Sequence, residues 1–264
     1  MRWALGIEYD GSAFAGWQRQ PGARTVQSEL DRALAAVADA PVQAVCAGRT
    51  DRGVHAAWQV VHFDSAAPRR PRAWVLGANS RLPPDANVLW AREVPDDFHA
   101  RFSALARSYR YVILNRPVRS GLLRDRACWV HRPLDETRMR EAAARLEGEH
   151  DFSAFRAAAC QAGHAVRRIR RLAVTRQGPL VTLEVTANAF LQHMVRNIAG
   201  ALMRVGAGDR DPQWIAALLE GRDRRLAGPT APAAGLYLRD VRYPAAYGLP
   251  VAGAIPACEP LDGA

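Results

Sequence analysis

The sequence predicts an α+β fold in two halves, each combining sheet with helix, and three observations lead there. The N-terminal stretch runs strand, helix, strand, loop, strand, the order of a sheet with a helix laid over one face. Strand character returns at Ser108 and is followed by helices interleaved with further strands. The chain has 264 residues, 49% of them hydrophobic, enough to bury one large core or two modest ones. The two halves are alike in architecture, without a visible sequence repeat.

The elements follow in order. "WALGIEYDG" is extended and stops at the Asp10-Gly11 turn signal, and "GWQRQPGART" is a polar loop. Val26, Leu30, Ala33, Leu34 and Val37 recur at helical spacing, and the Thr25 hydroxyl can accept an orphan amide hydrogen at the helix start. A strand is expected from Pro41 to Ala47, then a glycine-flanked loop around Asp51, then a strand through "AAWQVVHFD". Proline and arginine accumulate from Pro68 to Arg72, and prolines again at Leu82-Pro83-Pro84, so this region reads as loops around a short helix starting near Ala73.

"SYRYVILN" has the aromatic and β-branched content of a strand. Asp135 caps a helix with Met139, Ala143 and Leu146 on one face, ending at Gly148. Strands from Ile169 to Thr175 and from Leu180 to Thr186 are joined by a Gln177-Gly178 turn, and a long helix carries Met194, Val195, Ile198, Ala201, Leu202 and Val205 on one side. Asp211 caps and Pro212 opens another helix, through Ile215, Leu218 and Leu219 to Gly221. "GLYLRDVRY" is the final strand. The division falls near residue 105, giving halves 1–105 and 106–249 and a tail, 250–264, expected to be flexible.

Arginine supplies all 36 basic residues against 26 acidic ones, a formal net charge of +10. Such a field draws polyanions, and the guanidinium fork suits phosphate and base edges. Arginine that merely solvates the surface accounts for the same count. Glu8 and Asp10 interrupt any apolar leader and no run reaches membrane-spanning length, so a cytoplasmic protein with no membrane partner is expected. Cys46, Cys128, Cys160 and Cys258 stand apart, without the close pairs of a zinc site.

The stretch "CAGRTDRGVHAAWQVVHFD" holds the most chemistry. Its glycines permit close approaches, and Arg49 and Arg52 can keep the Asp51 carboxylate ionised or hold phosphate. An ionised carboxylate is a nucleophile or a base. Thr50 and Asp51 can equally form a side-chain-stabilised turn with the arginines in solvent. His55, His62 and His193 lack metal-site spacing; His62 fits a strand residue with a local hydrogen bond, while His55 and His193 fit either RNA contacts or core-edge positions. Tyr109 and Tyr111 share a strand face, suited to base stacking or to packing under a helix. Arg196 opens an apolar helix in "MVRNIAG" and, turned inward, needs a carboxylate such as Asp51. The densest basic cluster is "RRIRR", Arg167 to Arg171, which can meet phosphates or guard a sheet edge.

"YDGSAFAGWQRQ", "VQSELDRAL", "GRTDRGVHAAWQVVHF", "FHARFSALARSYRYVILN", "FLQHMVRNIAGALMRVG" and "PTAPAAGLYL" together, in this order and across about residues 5 to 245, resemble the TruA-type tRNA pseudouridine synthases. The resemblance implies the pseudouridine synthase fold, two similar α+β halves around a mixed, mainly antiparallel sheet with a central catalytic cleft. It implies a homodimer that isomerises uridine to pseudouridine at positions 38, 39 and 40 of the tRNA anticodon stem-loop, with no metal and no cofactor. By motif match Asp51 is the catalytic aspartate and nucleophile, Arg196 its ion-pair partner, and Tyr109 the tyrosine packed on the target uracil, with a possible part in proton transfer. Arg49 matches the arginine that helps hold the target nucleotide out of its stack, and Leu236 an apolar pocket residue; Arg52, His55 and His193 are further candidates for RNA contact. Arg52 stands where the family commonly has alanine, and Gln192 where a second histidine is familiar. The competing readings are an RNA-binding or chaperone protein that uses the same basic groove without catalysis and, more remotely, an RNA-binding hydrolase.

Overall fold

A computed structural model describes residues 1–252. The expectation of a flexible tail over 250–264 therefore falls mostly on residues outside the described ones. The strands are β1 (Arg2–Tyr9), β2 (Val45–Cys46), β3 (His55–Asp64), β4 (Ala86–Val94), β5 (Ala106–Asn115), β6 (Cys128–Val130), β7 (Gly148–Asp151), β8 (Val166–Gln177), β9 (Leu180–Ala187) and β10 (Leu236–Arg242). The helices are α1 (Val26–Ala38), α2 (Pro71–Asn79), α3 (Glu136–Ala144), α4 (Met194–Gly206) and α5 (Trp214–Gly221).

All ten strands form one sheet in the order β4-β1-β3-β10-β5-β9-β8-β7, with β2 beside β3 and β6 beside β5. Two pairings, β10 with β3 and β5 with β6, are parallel, and the others are antiparallel. The architecture is thus α+β on a mixed, mainly antiparallel sheet. Strand β10 sits between the two sets of strands, parallel to β3 for only the pairs Tyr237↔His55 and Leu238↔Ala56 but antiparallel to β5 along its length. α1 packs on α2 and α2 on β4, while α3 packs on α4 and β8, so each set of strands has its own helices. Trp74 of α2 is fully buried, with Phe63 edge-on at 5.0 Å and Trp3 at 5.8 Å. Among the described residues no helix is long and apolar enough to cross a membrane.

Several boundaries differ from the sequence reading, each for a physical reason. The strand expected from Pro41 to Ala47 shrinks to two residues because side chains of α1 take over the backbone groups: the Asp31 carboxylate accepts the Ala44 amide hydrogen at 2.8 Å, and the Gln27 amide donates to the Ala44 carbonyl at 3.1 Å. The helix expected near Ala73 begins at Pro71, since proline at the first helical position loses no hydrogen bond. Asp211 does not cap α5 directly. Its carboxylate accepts the Gln213 amide in a preceding turn, and the helix starts at Trp214. Strand β4, where loops were expected, and the short polar β7 occupy the two ends of the sheet. Edge strands face solvent on their open side and carry charges there, which erases the alternation that marks an inner strand.

Histidines make the fold acid-sensitive. His62 on β3 is 4% exposed, and its Nδ1 accepts the Ala100 amide hydrogen at 3.1 Å. Burial, helped by His99 and Arg2 nearby, pushes its pKa down from 6.5 to about 4. Between those values the unfolded chain holds a proton that the folded chain refuses, so stability is intact above pH 6.5 and falls as pH drops toward 4. The thermal midpoint should be lower at about pH 5 than at about pH 7.5, and His62→Gln, which keeps an acceptor for Ala100, should flatten the difference. An unchanged slope in that variant would assign the effect to His55 and His99, whose pKa values burial also lowers.

Candidate active site

The loop between β2 and β3 is held from within. The Ala47 amide donates to the Val60 carbonyl at 2.8 Å, and Gln59 spans Gly48, donating to its carbonyl at 2.7 Å and accepting its amide hydrogen at 3.3 Å. Thr50 turns inward, 7% exposed, with its hydroxyl 2.8 Å from the Tyr9 hydroxyl and its carbonyl accepting the Trp17 amide hydrogen at 3.0 Å. The Val54 amide closes the turn on the Asp51 carbonyl at 3.1 Å, and Gly53 takes φ +76°, a conformation that favours glycine. With Thr50 inside, its neighbours Arg49 and Asp51 project outward. The loop is a turn, as one reading of the sequence had it, but its carboxylate is engaged elsewhere.

Asp51 meets helix α4. Its Oδ2 lies 3.2 Å from Arg196 Nη1 and 3.3 Å from His193 Nε2, with the three side chains 28%, 16% and 30% exposed. Both groups converge on one carboxylate oxygen, and no hydrogen bond to Oδ1 is found among the described residues. Arg196 is itself clamped: its Nε donates to the Ala231 carbonyl at 2.8 Å, and the Ala231 amide donates back to the Arg196 carbonyl at 3.1 Å. His193 precedes the helix with φ 62°, a left-handed conformation that costs about 1 kcal/mol or more in a non-glycine residue. From this position at the start of α4 its imidazole reaches Asp51.

The segment that clamps Arg196 is fixed one residue further on. Thr230 donates to Asn197 Oδ1 at 2.7 Å, Arg224 donates to both at 2.9 Å, and Asn197 donates to the Phe155 carbonyl at 2.7 Å. Gly200 lets the segment lie against α4, since a Cβ there would overlap the Pro229 carbonyl oxygen.

Tyr109 and Tyr111 share a face of β5 and part in their surroundings. Tyr111 is fully buried and donates to the Pro232 carbonyl at 2.8 Å. Tyr109 is 9% exposed, edge-on to Phe190 at 5.0 Å, and its hydroxyl would lie 3.7 Å from a Cβ on Gly48, which places it beside the Asp51 loop. Burial pushes its phenol far above the ordinary value and the Asp51 charge pushes it further, so the group stays protonated at neutral pH. Leu236, 6% exposed, pairs across from Tyr111 at the start of β10. Arg49, Arg52 and Gln192 are exposed.

His55 does not join them. It is 1% exposed, its ring stacked on Tyr237 at 4.6 Å, with Nδ1 3.1 Å from the Gly11 amide and Nε2 2.9 Å from the Asp125 carbonyl. An enclosed ring with both nitrogens engaged has no face for RNA, so the core-edge reading fits it. The sequence reading also passed over Arg107, 9% exposed, whose guanidinium donates to the carbonyls of Ala47 at 3.0 Å, Asn188 at 3.1 Å and Arg101. In a chain this rich in arginine, nothing in the sequence separates it from its neighbours. Among the described residues no three His, Cys, Asp or Glu side chains converge as a metal-ligand set.

A family model described as tRNA pseudouridine synthase matches residues 6–103 and 142–244. The chain is 60% identical over 249 residues to tRNA pseudouridine synthase A of Methylococcus capsulatus, spanning 94% of this chain and 92% of that one. It is 57% identical over 252 residues to the protein of that name from Xanthomonas euvesicatoria (95% and 98% covered), and 55% identical over 250 residues to that from Vibrio parahaemolyticus (95% of each).

Gly200→Ala should force the Pro229–Ala231 segment off α4 at a cost of about 1–3 kcal/mol. In a thermal melt this should lower the midpoint by several degrees, and a melt like the parent's would show that the close approach is not needed.

Proposed function

The chain belongs to the tRNA pseudouridine synthase family, and from that premise we propose that it isomerises uridine to pseudouridine at positions 38, 39 and 40 of the tRNA anticodon stem-loop, with Asp51 as the acting carboxylate. The observation that carries the reading is the convergence of Arg196 and His193 on one oxygen of Asp51. The isomerisation breaks the C1′–N1 bond, turns the uracil within the site and joins C5 to C1′. The hydrogen of C5 leaves for solvent and N1 ends as N–H, so no electrons enter or leave and no group is transferred. A carboxylate serves each route to this outcome, whether it adds to C6, attacks C1′ or assists a glycal intermediate.

The roles follow from placement. Arg196 and His193 hold Oδ2 and orient the carboxylate, and Oδ1 is the oxygen offered to the substrate. Tyr109 forms a wall for the uracil and, remaining protonated, donates a hydrogen bond rather than acting as a base. Leu236 belongs to the apolar side of the pocket. Arg49 and Arg52, exposed on the same loop, meet the RNA backbone near a nucleotide drawn out of its stack, a step that costs a few kcal/mol. The same reading divides the chain at residue 105, the first half carrying the Asp51 loop and residues 106–249 supplying Tyr109, Arg196 and Leu236. It also takes the enzyme as a cytoplasmic homodimer whose cleft is shared by both subunits.

The test uses tRNA tritiated at uridine C5, which loses its label as the carbon–carbon bond forms. Wild-type enzyme should release tritium, and Asp51→Asn should lower the rate at least about a thousandfold while still binding tRNA. Normal release by that variant sinks the assignment of Asp51. Intact wild-type binding without release would instead favour the non-catalytic RNA-binding reading, and cleaved RNA the hydrolase. Mapping pseudouridine in the product tRNA checks positions 38, 39 and 40.

His193→Gln separates two roles. If the imidazole positions Asp51, kcat should fall about tenfold with KM for tRNA little changed, the size of loss expected for one polar contact to a charged group. A rise in KM at constant kcat would make His193 an RNA contact instead.

A further inference from the structure

We propose that Phe102, on the loop between β4 and β5, is a stacking platform for an unpaired nucleobase of the RNA substrate at the rim of the Asp51 cleft, an inference that rests on the tRNA reading above. Phe102 is 75% exposed, whereas Phe14, Phe63, Phe98, Phe152 and Phe155 are each no more than 1% exposed. Leaving a whole aromatic face in water is unfavourable, and this chain does it on a loop that is tightly built.

His99 organises that loop. Its Nδ1 accepts the amide hydrogens of Arg101 at 3.1 Å and Phe102 at 3.2 Å, and its ring lies 4.3 Å from the Phe102 ring at an interplanar angle of 32°. Ser103 closes the loop from the other end, its hydroxyl oxygen accepting the His99 amide hydrogen at 3.0 Å and its own amide donating to the His99 carbonyl at 2.9 Å. The guanidinium of Arg101 lies over the Phe102 ring, 5.5 Å from its centre. An exposed ring that already carries a cation fits a base and its phosphate: the guanidinium turns aside to the backbone charge, and the base takes its place on the ring.

The platform is tied to the catalytic loop. One nitrogen of the buried Arg107, Nη2, holds the carbonyls of both Arg101 and Ala47, and Ala47 lies just upstream of Asp51. Arg170, from the basic "RRIRR" run on β8, donates to the Leu105 carbonyl at 3.1 Å and so borders the same loop. A base within a continuous helix has both faces covered by its neighbours. The occupant is therefore a base already unstacked, as in a hairpin loop or next to an extruded nucleotide.

Affinity for a tRNA transcript, measured by filter binding at fixed salt, tests this independently of turnover. Phe102→Ala and Phe102→Leu should each raise Kd about tenfold, and Phe102→Trp should hold it near the parent value, since stacking needs an aromatic face. Circular dichroism melts confirm that each variant is folded, and the Leu and Trp pair decides the matter even if Ala is unstable. Leu binding as tightly as Phe, or Ala with unchanged Kd, overturns the platform. So does a change in sedimenting mass on Phe102→Ala with tRNA affinity unaltered, which would give Phe102 to a contact between copies of the chain. Failure of the parent enzyme to release tritium would overturn the catalytic reading while leaving these affinities to judge the platform.

Discussion

The site depends on one carboxylate being met by a guanidinium and an imidazole across the middle of the sheet. Asp51 and Arg196 are far apart in the chain, on the loop between β2 and β3 and on helix α4, and each is fixed independently. On one side the loop of residues 47–54 is held by Trp17, Gln59 and Val60 at its backbone and by Tyr9 at the Thr50 hydroxyl. On the other, Arg196 is gripped by Ala231 through its side chain and its carbonyl. A carboxylate with both oxygens engaged would have none to offer; with Arg196 and His193 both against Oδ2, Oδ1 has no hydrogen-bond partner among the described residues.

The same distinction sorts the arginines that dominate the composition. Some are ion-paired within the fold, as Arg24 with Asp85 at 2.7 Å and Arg110 with Glu184 at 2.6 Å. Among the described residues Arg107 meets no carboxylate, and its planar fork gathers backbone carbonyls from three separate segments, a task the compact ammonium of lysine suits poorly. Arg49, Arg52 and Arg101 remain exposed. The formal charge of +10 is a sum over these different uses, which is why it gave only an even choice between a nucleic-acid partner and a solvated surface.

What the sequence disclosed follows from where each signal originates. Inner strands and amphipathic helices announce themselves through burial on one side, so β1, β3, β5, β9, β10, α1 and α4 were readable. Edge strands β4 and β7 were not, because one side of each meets water, and β2 shrank because helix side chains replaced its ladder. In the site, the ordered motifs pointed to Asp51, Tyr109 and Arg196, and spacing alone could not. His193 was legible as a candidate but not as a partner of Asp51, since its left-handed backbone is invisible in a string of letters. His55 looked equally available and proved enclosed, because what covers it comes from Asp125, Ala234 and Tyr237, far away in sequence.

The position of β10 bears on how the molecule comes together. This strand follows all the others in the chain yet occupies the interior of the sheet, between β3 and β5. Until it docks, each half carries an unpaired inner edge rich in apolar residues, the form most open to sticking to another chain. Its contacts with β3 are also of very long sequence separation, which slows closure. Pairing of β10 therefore closes the sheet, and the Asp51 loop beside β3 gains its opposite wall only through the strands that β10 joins to it.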